Sequence, residues 1–122
     1  LVQVENIPSS ATLERLRRGV LVKGKKTRPA RAELLFEAPR IFERVPPIRY
    51  RKMIPTAWLK ISLREGRKRQ IRRMTAAVGH PTLRLVRIAI GPITLGDLQP
   101  GQWRDLTPRE LGQLYSSLTN RP

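Results

Sequence analysis

Cysteine is absent, which excludes disulfides, thiolate metal ligands and cysteine nucleophiles. Histidine occurs once, at His80, so no histidine cluster is available to a metal, and no metal site is expected. No apolar run approaches the roughly 18 residues of a membrane-spanning helix, and no membrane partner is expected. Aromatic residues are only 5% of the chain, and acids are scarce too, nine against 25 lysines and arginines. The abundant residue is arginine, 19 against 6 lysines, and the net charge is +16 over 122 residues. Charge of that size on one short chain points to a polyanionic partner. Hydrophobic residues make up 39%, enough for a core, so wholesale disorder is not expected. The length fits a single domain over 1–122. The lack of cysteine and of a signal segment fits the cytoplasm.

Leu1-Val2-Gln3-Val4 alternates as a strand does. A chain that opens inside a strand, without an initiator methionine, is expected to be part of a longer one. Ser10 reads as a helix N-cap, Leu13 and Leu16 give helical spacing, and Gly19 reads as the stop. Lys23, Lys25, Lys26 and Arg28 around Gly24 predict a basic hairpin or loop. Ala30, Ala32, Leu34 and Phe36 predict one face of a strand, with Arg31 and Glu33 on the other. Residues 37–56 hold Pro39, Pro46, Pro47 and Pro55 among arginines, which excludes regular helix and predicts a long loop. Residues 57–64 alternate cleanly, Leu59, Ile61 and Leu63 against Trp58, Lys60, Ser62 and Arg64, and predict a half-buried antiparallel strand.

Gly66 leads into a helix ending near Gly79, with Pro81 beyond the stop. Residues 82–90 read as a strand, Gly91-Pro92 as a turn and residues 93–95 as a short strand. Trp103 is expected at the core edge. Thr107-Pro108-Arg109-Glu110 is a capping box with proline at the first helical position, followed by an apolar face of Leu111, Leu114, Tyr115 and Leu118. The fold class expected is α+β, a mostly antiparallel mixed sheet with about three helices.

From Arg64 to Arg73 there are six basic residues and one acid, Glu65. On a helix Ile71, Met74 and Val78 share one face and Arg69, Arg72 and Arg73 lie near the other. Such a helix docks by its apolar face and presents an arginine row. A merely solvated face would be served by lysine as well; arginine adds bidentate phosphate contacts and stacking on bases. Tyr50 is the better candidate for stacking a base, while Trp58 reads as edge packing, Tyr115 as core and His80 as a turn residue. No pair of acids has a spacing that demands acid–base work, and there is no phosphate-cradling loop or nucleophile elbow. Residues alone therefore describe a basic domain that binds RNA or DNA. DNA is the less favoured, since no helix-turn-helix pattern is present.

Glu65-Gly66-Arg67-Lys68-Arg69-Gln70-Ile71-Arg72-Arg73-Met74 resembles the E-G-R-x-R-Q-I/V-R-R-M signature of the RsuA/RluB/RluE/RluF family of ribosomal RNA pseudouridine synthases. Leu83, Leu85, Arg87 and Ile90-Gly91 resemble the family's next block, and Leu95 to Leu98 with Pro100 to Leu106 its closing pattern. Pro46-Pro47-Ile48-Arg49 and the stretch from Ile54 to Ile61 are most similar to the large-subunit RluE branch.

The resemblance implies conversion of uridine to pseudouridine in 23S ribosomal RNA without cofactor or metal. An aspartate attacks the substrate, a tyrosine packs beside the flipped base, an arginine pairs with the aspartate and a leucine lines the pocket. It makes Arg72 the partner of the carboxylate and Leu85 the pocket leucine. Arg64, Arg67, Lys68, Arg69, Arg73, Arg84, Arg87, Arg49, Arg51 and Lys52 become RNA contacts. Neither Asp97 nor Asp105 lies in the aspartate's G-R-L-D context, so the chain is expected to be the C-terminal portion of the catalytic domain, inactive alone. The complete protein is expected to be a monomer. The alternative is a non-catalytic RNA-binding or ribosome-associated protein.

Overall fold

The computed structural model describes residues 1–39 and 54–119, and divides into two compact units, Leu1–Val86 and Arg87–Pro122. The first contains β1 (Val2–Glu5), α1 (Ser10–Arg18), β2 (Leu21–Val22), β3 (Lys25–Lys26), β4 (Arg31–Leu35), β5 (Thr56–Ser62), α2 (Gln70–Ala77) and β6 (Thr82–Leu85). Its main sheet has the order β4-β5-β1-β6, and β2 and β3 form a separate ribbon. The α+β fold with a mostly antiparallel sheet is as expected, and among the described residues every pairing is antiparallel. Among these residues no helix is long and apolar enough to cross a membrane.

The core follows from the alternation. Val2 and Val4 of β1, Ala32 of β4, and Ala57 and Leu59 of β5 are buried on one face of the sheet. Leu13 and Leu16 of α1, Val20, Val22 and Met74 of α2 complete the same cluster. Leu59 and Met74 are fully buried, each contributing about 1.5–3 kcal/mol of hydrophobic stabilisation. On the opposite face, pairing aligns Leu35, Trp58, Gln3 and Arg84 in one row across four strands.

Local rules account for most boundaries. The cap of α1 is Ser9, not Ser10: Ser9 has extended backbone and its hydroxyl accepts from the Thr12 N–H at 3.2 Å. Gly19 ends α1 at φ 102°, and a Cβ there would run into the carbonyl oxygen of Thr27. Thr27, unremarked in the sequence, is buried, and its hydroxyl accepts from the Val20 N–H at 2.9 Å. The expected basic hairpin is β2–β3, turning through Lys23 (φ 53°) and Gly24 (φ 76°). Left-handed backbone at a lysine costs on the order of 1 kcal/mol. Phe36 does not continue the face of Ala32 and Leu34; β4 stops at Leu35, and Phe36 is 94% exposed. The proline-rich loop falls mainly on residues 40–53, outside the described residues.

The strand expected over residues 82–90 is two pieces. Val86 and Leu1 bond in both directions, the Val86 N–H donating to the Leu1 carbonyl and the Leu1 amino group to the Val86 carbonyl, each at 2.8 Å. The second unit then begins, with β7 (Ala89–Ile90) and β8 (Ile93–Thr94) paired through a turn at Gly91, φ 56°. Its helix α3 (Pro108–Thr119) opens with the expected capping box. Glu110 N–H donates to the Thr107 hydroxyl at 3.1 Å, and Thr107 N–H donates to the Glu110 carboxylate at 2.9 Å. Arg104 adds two bonds to that carboxylate, at 2.6 and 2.7 Å. Two expectations here fail. Trp103 is 81% exposed and does not cap a core, and Tyr115 is 63% exposed, as Leu111 and Leu118 are also exposed. The spacing of an apolar face shows that the helix is amphipathic and leaves open what covers it.

Gly19→Ala should destabilise the first unit by on the order of 3 kcal/mol, through strain at positive φ and the collision with Thr27, read by chemical denaturation. Arg104, first, and the Thr107 N–H hold the Glu110 carboxyl down at about 2, below its ordinary 4.5. A folded-state value below the unfolded one gives stabilisation that is complete above pH 4.5 and lost as the pH falls toward 2. The N-terminal turn of α3 should therefore fray over that window, seen as loss of the Glu110 amide's exchange protection, and Glu110→Gln should abolish the pH dependence.

Candidate functional site

The segment between β5 and α2 is organised by its own polar side chains. Glu65 accepts the main-chain N–H of Arg28 and the amide of Gln70, both at 2.8 Å. The Arg28 bond, first, and the Gln70 bond lower the Glu65 pKa, against the opposing effect of desolvation. Gln70 in turn accepts the Arg67 N–H at 3.0 Å, and it is buried. The guanidinium of Arg67 reaches across to the ribbon and donates to the carbonyls of Val22 at 2.6 Å and Lys25 at 3.2 Å. A planar fork of donors suits two carbonyls from one hairpin.

Arg69 then adopts left-handed backbone, φ 54°, at the N-cap position of α2, with no side-chain cap. The helix begins one residue later, so Arg69 stands ahead of the row that regular helical spacing predicts. Met74 is buried and Ile71 and Val78 pack against the core, as expected. Thr75, fully buried, exchanges a hydroxyl–hydroxyl bond with Thr82 at 2.8 Å and ties α2 to β6. The chain reverses over residues 78–81, where His80 serves as a turn residue, its Nδ1 2.9 Å from the Glu5 carbonyl oxygen.

This geometry separates the arginines by environment. Arg72 and Arg73 are half-buried on α2. Among the described residues the Arg72 guanidinium has neither hydrogen-bond nor ion-pair partner, and the Nε of Arg73 is buried without one. A guanidinium without an acceptor on a half-buried residue is available to an incoming anion, and the buried Arg73 Nε has lost its water without gaining one. Arg72 lies one turn before Thr75, whose hydroxyl donates to the Arg72 carbonyl at 3.3 Å and meets Thr82 of β6. Leu85 ends β6 and is 38% exposed. Arg84 stands over the Trp58 ring, 6.0 Å from its centroid; Trp58 is thus half-covered in the sheet.

The remaining expected contacts divide. Arg64, Lys68 and Arg69 are exposed around the signature segment, and Arg87, exposed, opens the second unit. Arg67 is held by main-chain acceptors. Arg49, Arg51 and Lys52, with Tyr50, lie outside the described residues. Sequence reasoning missed Gln70 and the main chain of Arg28, which hold Glu65; a glutamine among arginines on the buried side of a helix was the available signal. Among the described residues no group of three or more histidine and acid side chains is gathered as metal ligands would be. The second unit has an apolar hollow of about 230 Å³, lined by Ile88, Ile90, Ile93, Leu95, Leu98 and Leu106 among others.

No protein-family profile matches the chain. Among curated proteins, ribosomal large subunit pseudouridine synthase E of Vibrio parahaemolyticus is 57% identical over 105 residues, covering 86% of this chain and 44% of that protein. The protein of the same name from Xanthomonas campestris is 55% identical over 103 residues, 84% of this chain and 55% of its own length. Ribosomal large subunit pseudouridine synthase B of Bacillus subtilis is 33% identical over 114 residues, 93% of this chain and 41% of that protein. The chain spans about half the length of the curated relatives it matches. With the signature from Glu65 to Met74 intact and relatives of this kind over most of its length, the chain belongs to the RsuA/RluB/RluE/RluF family of ribosomal RNA pseudouridine synthases, on its large-subunit RluE branch.

Proposed function

We propose that the protein to which this chain belongs converts uridine to pseudouridine in 23S ribosomal RNA, in the cytoplasm and as a monomer, with this chain supplying part of the active site. The observation that carries the reading is Arg72, a half-buried residue whose guanidinium has no partner among the described residues. A carboxylate brought against it would be held ionised, since a neighbouring positive charge lowers a carboxylate's pKa, and an ionised aspartate is the nucleophile the reaction needs. That aspartate would come from sequence outside this chain, so these residues alone would bind RNA without turning it over.

Leu85, exposed at the end of β6, is suited to be the apolar wall for a base. The base must leave its stack to be reached, because C5 and C6 of a stacked uridine are inaccessible. Arg64, Lys68, Arg69, Arg73, Arg84 and Arg87, and beyond the described residues Arg49, Arg51 and Lys52, would hold the surrounding phosphates. Arg67 takes a different part: its guanidinium already bonds Val22 and Lys25, which makes it an anchor of the site.

In the full-length protein, Arg72→Ala should lower pseudouridine formation at least ~100-fold while changing RNA affinity less than about threefold. Tritium release from 5-³H-uridine-labelled large-subunit RNA measures the first and filter binding the second. Equal losses in both would move Arg72 to the phosphate contacts. No tritium release by the folded, RNA-bound wild-type protein would leave a non-catalytic RNA-binding protein.

A further inference from the structure

The β2–β3 ribbon carries charge that no acid among the described residues answers. Lys23, Lys25 and Lys26 are all exposed. Among the described residues no carboxylate pairs with any of the three. Glu14 is engaged with Arg17 and Arg18, and Glu65 with the Arg28 N–H and Gln70. Lys25 and Lys26 are successive strand residues, so their side chains leave opposite faces of the ribbon, and Lys23 stands at its tip. Cations therefore surround the end of the ribbon, an arrangement for entering between two runs of negative charge.

Two observations indicate that this charge has a use. Lys23 holds φ 53° in a two-residue turn, where asparagine, aspartate or glycine adopts left-handed backbone at less cost. A turn that had only to close would not favour lysine there. The ribbon is also fixed at its root. Arg67 binds the Val22 and Lys25 carbonyls, and the Glu65–Gln70 bond joins the segment holding Arg67 to the first residue of α2. The three lysines and Arg72 thus belong to one braced assembly.

We propose that the β2–β3 hairpin is an RNA phosphate-binding site. Lys23, Lys25 and Lys26 contact phosphodiesters on both sides of the ribbon, independently of sequence. Arg67 is a positioning residue that sets the distance between this grip and the base opposite Arg72. The inference rests on the RNA-modifying reading above and deepens it by assigning a second contact surface.

The test uses the full-length protein and a fluorescent fragment of large-subunit ribosomal RNA, with affinity followed from about 50 to 300 mM NaCl. Each phosphate contact contributes about 0.7–0.9 to the slope of log affinity against log salt. The triple variant K23Q/K25Q/K26Q should lose about 2 from that slope and at least tenfold in affinity near ~0.1 M salt. Its melting temperature should be unchanged, because all three side chains are exposed. Arg67→Ala should keep most of the slope yet lower the turnover rate at saturating RNA at least tenfold, with Arg67→Lys recovering part of it. An active wild-type protein whose triple variant keeps the full slope overturns the hairpin site alone. A folded wild-type protein that binds no RNA overturns the RNA reading, and the hairpin site with it. Loss of a full phosphate contact's slope in Arg67→Ala, with turnover at saturation retained, overturns the positioning role.

Discussion

The Glu65 carboxylate and the Arg67 guanidinium brace the site on which the remaining basic residues depend. Glu65 gathers the Arg28 main chain and the Gln70 amide, and Arg67 grips two carbonyls of the ribbon. After the Arg28 N–H bond, the Arg67 charge also helps to lower the Glu65 pKa, but the hydrogen bonds of each residue go to uncharged groups of the ribbon and its flanks. This is the stronger use of a charge near a protein surface, because charge-assisted bonds to main-chain groups are directional, whereas exposed ion pairs add little.

Bracing matters because the chain is overwhelmingly cationic. At +16, self-repulsion opposes compactness, and the fold answers by exposing most of its basic groups to water and salt. Arg72 and Arg73 depart from that solution: they are half-buried on a helix whose inner face is locked by Met74, Thr75 and Gln70. Partial burial strengthens their interaction with an anion, since the local dielectric is lower and less water must be displaced when the anion arrives. The same segment thereby supplies a rigid mount and an anion-seeking face.

The second unit shows the reverse balance. Its capping box and the Arg104–Glu110 fork specify α3 sharply, while the apolar residues Leu111, Tyr115 and Leu118 remain exposed. Helix formation is secured there by local hydrogen bonds at one end, independently of the burial that usually stabilises an amphipathic face.

Much of the fold was legible because short-range chemistry decides it. Alternation in β5, the stop at Gly19, the turn at Gly24 and the cap at Thr107 each depend on a few neighbouring residues and on the period of the backbone. The basic character and the family signature were equally visible. Other features were settled by partners distant in sequence. Arg67 looked like its exposed neighbours until the hairpin carbonyls, some forty positions earlier, came within reach of it. The stretch from Thr82 to Ile90 looked like one strand, whereas β6 pairs with β1 and β7 pairs with β8. Trp103 and Tyr115 looked like core residues because hydrophobicity records a preference for burial without naming a cover. The sequence by itself determined the elements, the charge and the kinship. Only the tertiary structure decided which arginines are anchored and which stand free, because that depends on acceptors brought together by folding.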